Sequence, residues 1–348
     1  MKKIVALMLS LVLVIGLLAG CGGSTPSTTA APGTTAAPGT TAAPSGEGYT
    51  LRLGHVCQTT HPFHIGSEKF KKLVEEKSNG RITIELYPAR ALGDDASLLE
   101  QVMGNTLEIG LVSGPVFSAY TPVIDSLQLP FMLNTYDKEK AAYKTAEFQA
   151  LMDSLNKLDM QGLAVFEGGM RYMANAIRPV EKPEDLNGLK LRTTASDLVM
   201  DVVKALGGNP NPMAYGEVYS ALQSKVIDGE EINLTSIYSE KHYEVLKYVS
   251  KVALFPFPGI LVMNTKRLAS LPEADQKLLQ ECATEAMFAL LDEMPSIDDT
   301  AVANIKDKVE IKDVDAKPFM DKCKDLYDVY SAKDAVIANF LKMAQGLQ

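Results

Sequence analysis

Apolar residues follow strand and helix spacing in turn through the first folded part of the chain. Apolar runs typical of strands occur at Leu51–Val56, Ile82–Tyr87 and Leu107–Val112. Two stretches with helical spacing lie between these runs, and they begin at Pro62 and near Asp94. This order predicts a parallel sheet with crossover helices, in which pockets form beyond the carboxyl ends of the strands.

The remaining chain continues as a mixture of strands and helices. The predicted elements are a helix over much of Asp137–Leu158, strands at Gly162–Phe166 and Leu189–Arg192, helices at Ala195–Leu206 and within Gly216–Val226, strands at Val249–Phe255 and Ile260–Asn264, an amphipathic helix at Glu273–Glu293, an edge strand at Val309–Val314, and mostly helix over Lys317–Gln345. We expect Pro295 to bend or end the amphipathic helix, because proline lacks an amide hydrogen. Gly168 and Gly169 predict a flexible joint.

The N-terminus has the layout of a signal peptide. Two lysines precede the apolar run Ile4–Leu18, which is too short for a comfortable membrane span. The ending Leu18-Ala19-Gly20-Cys21 resembles the lipobox of bacterial lipoproteins, so we predict lipidation and a membrane anchor at Cys21. An ordinary secretory signal with an incidental cysteine is the alternative. Both interpretations place the mature protein outside the cytoplasm.

The composition of residues 21–48 predicts a disordered tether that begins at the lipidated cysteine. The stretch consists mostly of Thr, Ala, Pro, Gly and Ser and repeats TTAAPG. Such a composition cannot bury enough apolar surface to fold.

Composition and charge narrow the class of protein. A chain of 348 residues with 46% hydrophobic residues suits about two globular domains. The net charge of −9 argues against nucleic acid as a partner. An anionic ligand would therefore need local positive charge.

Arg171 and Arg192 are the candidates for that local charge. Each lies at or beside a short apolar run that predicts a strand, and turns marked by prolines and Gly188 separate them. The planar guanidinium fork matches the two oxygens of a carboxylate. A single arginine is nevertheless most often a surface residue, so spacing alone supports this role weakly.

The loop after the first strand is rich in histidine. His55, Cys57, His61 and His64 form a possible metal ligand set, but their spacing fits no closed zinc pattern. We predict no metal, and we expect His61 to hydrogen-bond an organic ligand instead. At the next strand end, Asp95 is expected to cap a helix or to accept hydrogen bonds from a ligand.

Enzymatic motifs are missing from the chain. It has no G-x-S-x-G elbow, no H-E-x-x-H and no phosphate-binding loop, and Gly110-Leu-Val-Ser-Gly114 has the wrong spacing. We therefore predict no catalytic residue and no cofactor, with a secreted hydrolase as a minor alternative. Cys282 and Cys323 have two open alternatives, a disulfide or free buried thiols.

Several longer motifs stand in one order: LRLGHV, EKSNGRITIELYP, LGDD, GGMRYMAN, RPVEKPEDLNGLKLR, PMAYGEVYSALQSKVIDGEE and HYEVLKYVS. Together they resemble the DctP-like solute-binding proteins of tripartite ATP-independent periplasmic (TRAP) transporters, from Tyr49 to the C-terminus. The resemblance implies an α/β, two-lobed, periplasmic-binding-protein-like clamshell with crossing strands and a long connecting helix. It also implies that the protein captures a small organic acid and delivers it to TRAP membrane permease subunits.

The resemblance implies a role for particular residues. Arg192 of GLKLR is expected to pair with the ligand carboxylate, and Arg171 of GGMR to support it. Tyr215 of PMAY is expected to pack on the ligand, and Asp95 of LGDD to contact its polar far end. Asn175 of GGMRYMAN is a further candidate contact.

Two positions depart from the pattern of the family. Ile232 stands where well-known branches have a polar contact residue, and Ser113 stands where the sialic-acid-binding branch has an acidic one. These differences predict a smaller or less hydroxylated acid than sialic acid. Asn233 or Glu231 is expected to supply the polar group that Ile232 lacks.

We divide the chain into a signal peptide (1–20), the lipidated cysteine and linker (21–48), lobe I (49–168 with about 258–297) and lobe II (169–257 with about 298–348). A sensor that shares this fold and signals to a membrane receptor is the alternative function.

Overall fold

The computed structural model describes residues 48–347. The predictions for the signal peptide, for Cys21 and for the linker up to residue 47 lie outside this range. Among the helices within it, none is both long enough and apolar enough to cross a membrane.

Five strands form the first sheet, in the order β2-β1-β3-β10-β4. They are β1 (Tyr49–Gly54), β2 (Ile82–Tyr87), β3 (Ile109–Ser113), β4 (Met160–Glu167) and β10 (Pro258–Asn264). The first three run parallel, as the alternation of strands and helices predicts, and β10 enters antiparallel between β3 and β4.

Six shorter strands form the second sheet, in the order β11-β9-β5-β8-β6-β7. They are β5 (Tyr172–Asn175), β6 (Lys190–Thr193), β7 (Asn209–Pro212), β8 (Gly229–Ile232), β9 (Tyr248–Lys251) and β11 (Glu310–Asp313). Tyr172 and Ala174 pack in one apolar cluster while Met173 packs in another, so apolar side chains cover both faces of this sheet.

Twelve α-helices surround the two sheets in the described range. They are α1 (Pro62–Lys77), α2 (Asp95–Met103), α3 (Tyr136–Ala142), α4 (Ala146–Ser154), α5 (Asp197–Ala205), α6 (Val218–Gln223), α7 (Leu234–Ser239), α8 (Thr265–Ala269), α9 (Glu273–Ile305), α10 (Lys317–Cys323), α11 (Asp325–Ser331) and α12 (Ala335–Gln345). Two sheets with flanking helices confirm the predicted two-lobed α/β fold.

Three sequence predictions about helices need correction. The single helix over Asp137–Leu158 is two helices, because the Thr145 side chain accepts from the Phe148 amide and starts α4 anew. The long helix α9 continues ten residues past Pro295, which therefore does not end it. Asp94, not Asp95, caps α2 through its side chain.

Strands β7 and β8 were missed by the apolar pattern. β7 contains two prolines and lies at the sheet edge, where a missing amide hydrogen costs least. β8 has the sequence GEEI, and its two carboxylates have buried partners elsewhere in the fold. Neither strand carries the alternation on which sequence prediction depends.

The two sheets are joined by crossing segments around Gly168 and Phe257. The Gly168 amide donates to the Phe257 carbonyl at 2.9 Å, and the Arg171 amide donates to the Phe255 carbonyl at 2.9 Å. A side chain at Gly168 would lie 2.5 Å from the Phe257 ring, and Gly169 has φ +116°. Both glycines are therefore required by the crossing.

The C-terminal helix α12 contributes to two apolar clusters. Phe340 packs in the cluster of the five-stranded sheet, whereas Ile337 and Leu341 pack in a cluster of the six-stranded sheet. The lobe boundaries predicted from the sequence stay a proposal.

The described cysteines are all reduced and buried. Cys57, Cys282 and Cys323 form no disulfide with one another. Of the two alternatives left open by the sequence, the free thiols apply to Cys282 and Cys323.

Candidate functional site

A cavity of about 170 Å³ lies between the two sheets. Its first wall comes from the loops after β2 and β3, and its second wall from the segments after β6 and β7. The lining residues are Asp94, Asp95, Ala96, Val116, Arg192, Thr194, Ala195, Met213, Ala214 and Tyr215. Strand ends from both sheets thus meet at one small cavity, which a few polar side chains line among apolar ones, as expected for α/β folds.

Among the described residues, Arg192 is the only arginine that lines this cavity. Its side chain is buried, and both Nε and Nη2 donate to the Met213 carbonyl, at 3.3 and 3.0 Å. No carboxylate of residues 48–347 forms an ion pair with it. Burial lowers the pKa of Arg192, and the nearby Glu231 carboxylate partly opposes this effect. The remaining guanidinium hydrogens suit an anion brought by a ligand.

Asp95 faces the same cavity from the first sheet. The Ser113 amide donates to Oδ1 at 3.0 Å, and the Ser113 hydroxyl donates to Oδ2 at 2.8 Å. Burial raises the pKa of Asp95 to about 6, although these two hydrogen bonds favour the ionised form. Ser113 therefore acts through Asp95, whose carboxylate can accept hydrogen bonds from ligand hydroxyls.

Tyr215 lies close to two guanidinium groups. The guanidinium carbon of Arg192 lies 5.9 Å from the centre of the Tyr215 ring, and that of Arg90 lies 5.6 Å from it. Burial raises the pKa of the phenol well above its ordinary value, so Tyr215 stays neutral. The structure thus brings together Arg192, Asp95 and Tyr215, three of the predicted ligand-binding residues.

Arg171 occupies a separate buried network behind the cavity. Its Nε donates to Glu231 Oε2 at 2.5 Å and its Nη2 to the Glu231 carbonyl at 2.6 Å. Its Nη1 donates to Asn233 Oδ1 at 3.1 Å, and its guanidinium lies over the Phe257 ring at 4.6 Å. Arg171 and Arg192, which the sequence presents as similar, therefore have different surroundings.

His61 joins this network from the first sheet. Its Nδ1 accepts from the Phe63 amide at 3.1 Å and so caps α1. Its Nε2 lies 3.3 Å from the Asn233 amide nitrogen and 3.2 Å from the Ser236 hydroxyl. The imidazole is fully buried, and burial lowers its pKa well below the ordinary value. Both ring nitrogens of His61 thus contact groups of the protein itself.

Two predicted contact residues lie away from the cavity. Ile232 is fully buried in an apolar cluster with Tyr172 and Val249. The Asn175 side chain accepts from the amides of Ile177 and Arg178, at 2.8 and 2.9 Å, and so closes a turn. The structure does not bring these two residues to Arg192.

The histidine-rich loop does not converge on one point. His55 Nε2 lies 3.1 Å from His64 Nδ1, whereas His61 turns to Asn233 and Ser236. Within residues 48–347, no three His, Cys, Asp or Glu side chains lie close enough together to hold a metal ion.

Sequence reasoning missed some residues around the cavity. Thr194 lines it with a buried hydroxyl that has no hydrogen-bond partner among the described residues. Arg90 makes a cation–π contact with Tyr215 and pairs with Glu240. The position of Thr194 two residues after Arg192 was an available signal, whereas Arg90 and Glu240 lie 150 residues apart and carry none.

Comparisons with known proteins agree with this arrangement. The profile of the bacterial extracellular solute-binding protein family 7 (DctP) matches residues 53–334. The 2,3-diketo-L-gulonate-binding periplasmic protein YiaO of Escherichia coli is 30% identical over 280 residues, which are 78% of this chain and 84% of that protein.

Two solved structures share the fold. A TRAP periplasmic solute-binding protein of Chromohalobacter salexigens with bound D-glucuronate has a TM-score of 0.80 and 29% identity, and the match covers 86% of this chain and 100% of that one. A counterpart from Anaerococcus prevotii with bound D-glucuronate has a TM-score of 0.80 and 28% identity, covering 85% and 97%. The chain belongs to family 7 of the extracellular solute-binding proteins, the DctP family of TRAP transporters.

Proposed function

We propose that this extracytoplasmic solute-binding protein captures a small hydroxylated sugar acid, with D-glucuronate as the representative ligand. The observation that carries the proposal is the position of Arg192, which is buried, lines the cavity and has no ion-pair partner in residues 48–347. A buried guanidinium of this kind is stabilised by a ligand carboxylate, which matches its fork in geometry and charge.

The other polar groups of the cavity favour hydroxyls on the ligand. Asp95 offers two carboxylate oxygens, and Thr194 offers a hydroxyl that donates and accepts. The cavity is smaller than the roughly 300–1,000 Å³ of drug-sized sites. Relatives solved with D-glucuronate carry ligands of this chemistry, and a six-carbon acid agrees with the prediction of a ligand smaller than sialic acid.

Binding is proposed to close the two lobes on the ligand. Asp95 follows a strand of the five-stranded sheet, and Arg192 lies on a strand of the six-stranded sheet. A ligand that holds its carboxylate at Arg192 and its hydroxyls at Asp95 contacts both lobes only when they are closed. Its binding energy therefore favours the closed state. Arg171 supports this wall through its buried pair with Glu231.

The closed protein is proposed to deliver the acid to the membrane subunits of a TRAP permease without changing it chemically. The lipid at Cys21 is proposed to hold the protein at the membrane surface. Incorporation of labelled fatty acid in the wild-type chain, and its loss in Cys21→Ser, tests the anchor.

Isothermal titration calorimetry with D-glucuronate tests the ligand assignment. We expect Arg192→Ala to weaken binding by about 100-fold or more, because truncation leaves the ligand carboxylate buried and unpaired. Arg52→Ala is the matched control, since Arg52 pairs with Glu108 at a 40% exposed position. Near-normal affinity in Arg192→Ala would contradict the pairing of Arg192 with the ligand carboxylate. Failure of the wild type to bind D-glucuronate or any acid in a broad panel would contradict the ligand class.

A further inference from the structure

Arg90 connects the two lobes through Glu240. Its Nη1 and Nη2 donate to Oε1 and Oε2 of Glu240, both at 3.2 Å, so that the guanidinium and the carboxylate form a bidentate pair. Arg90 follows β2 of the five-stranded sheet, whereas Glu240 ends α7, which comes directly after β8 of the six-stranded sheet. Because the partners belong to different lobes, opening the clamshell must separate them.

The pair is partly shielded from solvent. The side chains of Arg90 and Glu240 are 26% and 13% exposed. A bidentate and partly buried ion pair is stronger than an exposed pair, which is weakened by water and salt. Arg90 Nη1 also donates to the Val56 carbonyl at 3.2 Å, which fixes the guanidinium on its own lobe.

The backbone at Arg90 adopts a conformation that glycine prefers. Ala89 and Arg90 have φ of +53° and +65°, two left-handed residues in succession. Hydrogen bonds from their amides to the carbonyls of Cys57 and His55, at 2.9 and 3.3 Å, hold the loop in this shape. A side chain here carries a conformational cost, so its contacts must offset that cost.

Arg90 also supports one wall of the cavity. Its guanidinium carbon lies over the Tyr215 ring, 5.6 Å from the ring centre, and a side chain at Gly216 would lie 3.3 Å from the Cδ atom of Arg90. Tyr215 therefore contacts both Arg90 and Arg192, the arginine that is proposed to bind the ligand carboxylate.

We propose that Arg90 is a positioning residue, which holds Tyr215 against the cavity and latches the closed lobes through Glu240. This role deepens the proposed function and rests on it. The ligand enters the open form, in which the latch is not made, so Arg90 acts on ligand release more than on capture.

Three variants of the full-length chain isolate this role. Arg90→Gly removes the side chain and also relieves the left-handed backbone, which offsets part of the stability lost with the contacts of Arg90. Glu240→Gln keeps the shape of the partner and removes its charge. The double variant Arg90→Glu with Glu240→Arg restores an ion pair with reversed charges.

Release of radiolabelled D-glucuronate after dilution is the main measurement. We expect about tenfold faster release from Arg90→Gly and from Glu240→Gln, with association within about twofold of the wild type. The double reversal releases more slowly than Arg90→Glu or Glu240→Arg alone. Wild-type release from Arg90→Gly, or a double reversal as fast as the single ones, overturns the proposal.

Hydrogen exchange on the ligand-free protein, which interconverts between the open form and the latched closed form, separates the latch from the ligand assignment. If the wild type retains no D-glucuronate, the sugar-acid assignment fails. Hydrogen exchange still reports whether Arg90 and Glu240 hold the lobes together. Each variant is then read on the lobe that was not mutated. Arg90→Gly should raise hydrogen exchange in residues 236–244, and Glu240→Gln should raise it in residues 88–93. Changes confined to the mutated segment in both variants overturn the latch.

Discussion

Arg171 and Glu231 form an ion pair that is closed off from solvent, with Nε donating to Oε2 at 2.5 Å and both side chains at most 2% exposed. Arg192 has no such partner among the described residues, although it lies in the same sheet. One guanidinium is thus neutralised by the fold, and the other is the one that we propose to bind the ligand carboxylate. This difference is the basis for the proposed structural role of Arg171 and the proposed binding role of Arg192.

Breaking the buried pair should destabilise the fold. We expect Glu231→Ala to lower the free energy of unfolding by about 3–5 kcal/mol, because Arg171 is left buried and unpaired. Urea unfolding measures the change. Glu281→Ala, which breaks the exposed pair with Lys277, is the control and should cost about 1 kcal/mol or less. Equal losses in the two variants would contradict the structural role.

Removing Arg192 should spare the ligand-free fold. Arg192→Met leaves no carboxylate without its ion-pair partner and removes the donors to the Met213 carbonyl and a distant contact with the Tyr215 ring, so we expect a change within about 1 kcal/mol. Arg171→Met, which strands Glu231, should cost several times more. Thermal unfolding of both variants without ligand measures the contrast, and a similar loss in the two would remove the distinction between the arginines.

Ser113 should control the protonation of Asp95. Its two hydrogen bonds favour the carboxylate against a burial that raises the pKa of Asp95 to about 6. We expect Ser113→Ala to move this pKa higher and to weaken D-glucuronate binding about fivefold to tenfold near neutral pH. Calorimetry between pH 5 and 8 should show the midpoint of the affinity change at higher pH than in the wild type. An unchanged midpoint would argue against coupling between the two residues.

The buried carboxyl of Glu139 should make the stability of the fold depend on pH. Burial raises the pKa of Glu139 well above 4.5, the negative charge of Glu167 raises it further, and the Tyr143 hydroxyl donates to Glu139 at 3.1 Å. A folded pKa above the unfolded value means that this stabilisation is complete below about pH 4.5 and is lost as pH rises through the folded pKa. Glu139 therefore favours the folded protein in its protonated form.

Glu139→Gln tests this dependence, because glutamine keeps the shape of the side chain and cannot ionise. We expect the variant to gain about 1–3 kcal/mol over the wild type at pH 8 relative to pH 5. Urea unfolding at both pH values measures the gain. Asp95 and Asp125, whose pKa values burial also raises, are present in both proteins and cancel in the comparison. Parallel pH dependence in the two proteins would show that Glu139 does not titrate in this range.

Some elements of this fold can be predicted from the sequence and others cannot. β1 to β3 and α1 were predictable, because apolar periodicity and caps are local signals. β8 was not, since GEEI carries no apolar alternation and its carboxylates are stabilised by Arg171 and His242 from elsewhere in the chain. Ile232 was predicted to contact the ligand, but the fold places it in an apolar cluster. Its contact with the ligand stays an untested prediction.

The sequence by itself determined the α/β fold, the family and the candidate arginines, because these follow from local patterns and from the order of motifs along the chain. Only the tertiary structure decided which arginine is neutralised, that Ser113 acts through Asp95, and that Arg90 meets Glu240. Charge pairing and burial depend on distances between residues far apart in the chain, and a linear pattern does not contain those distances.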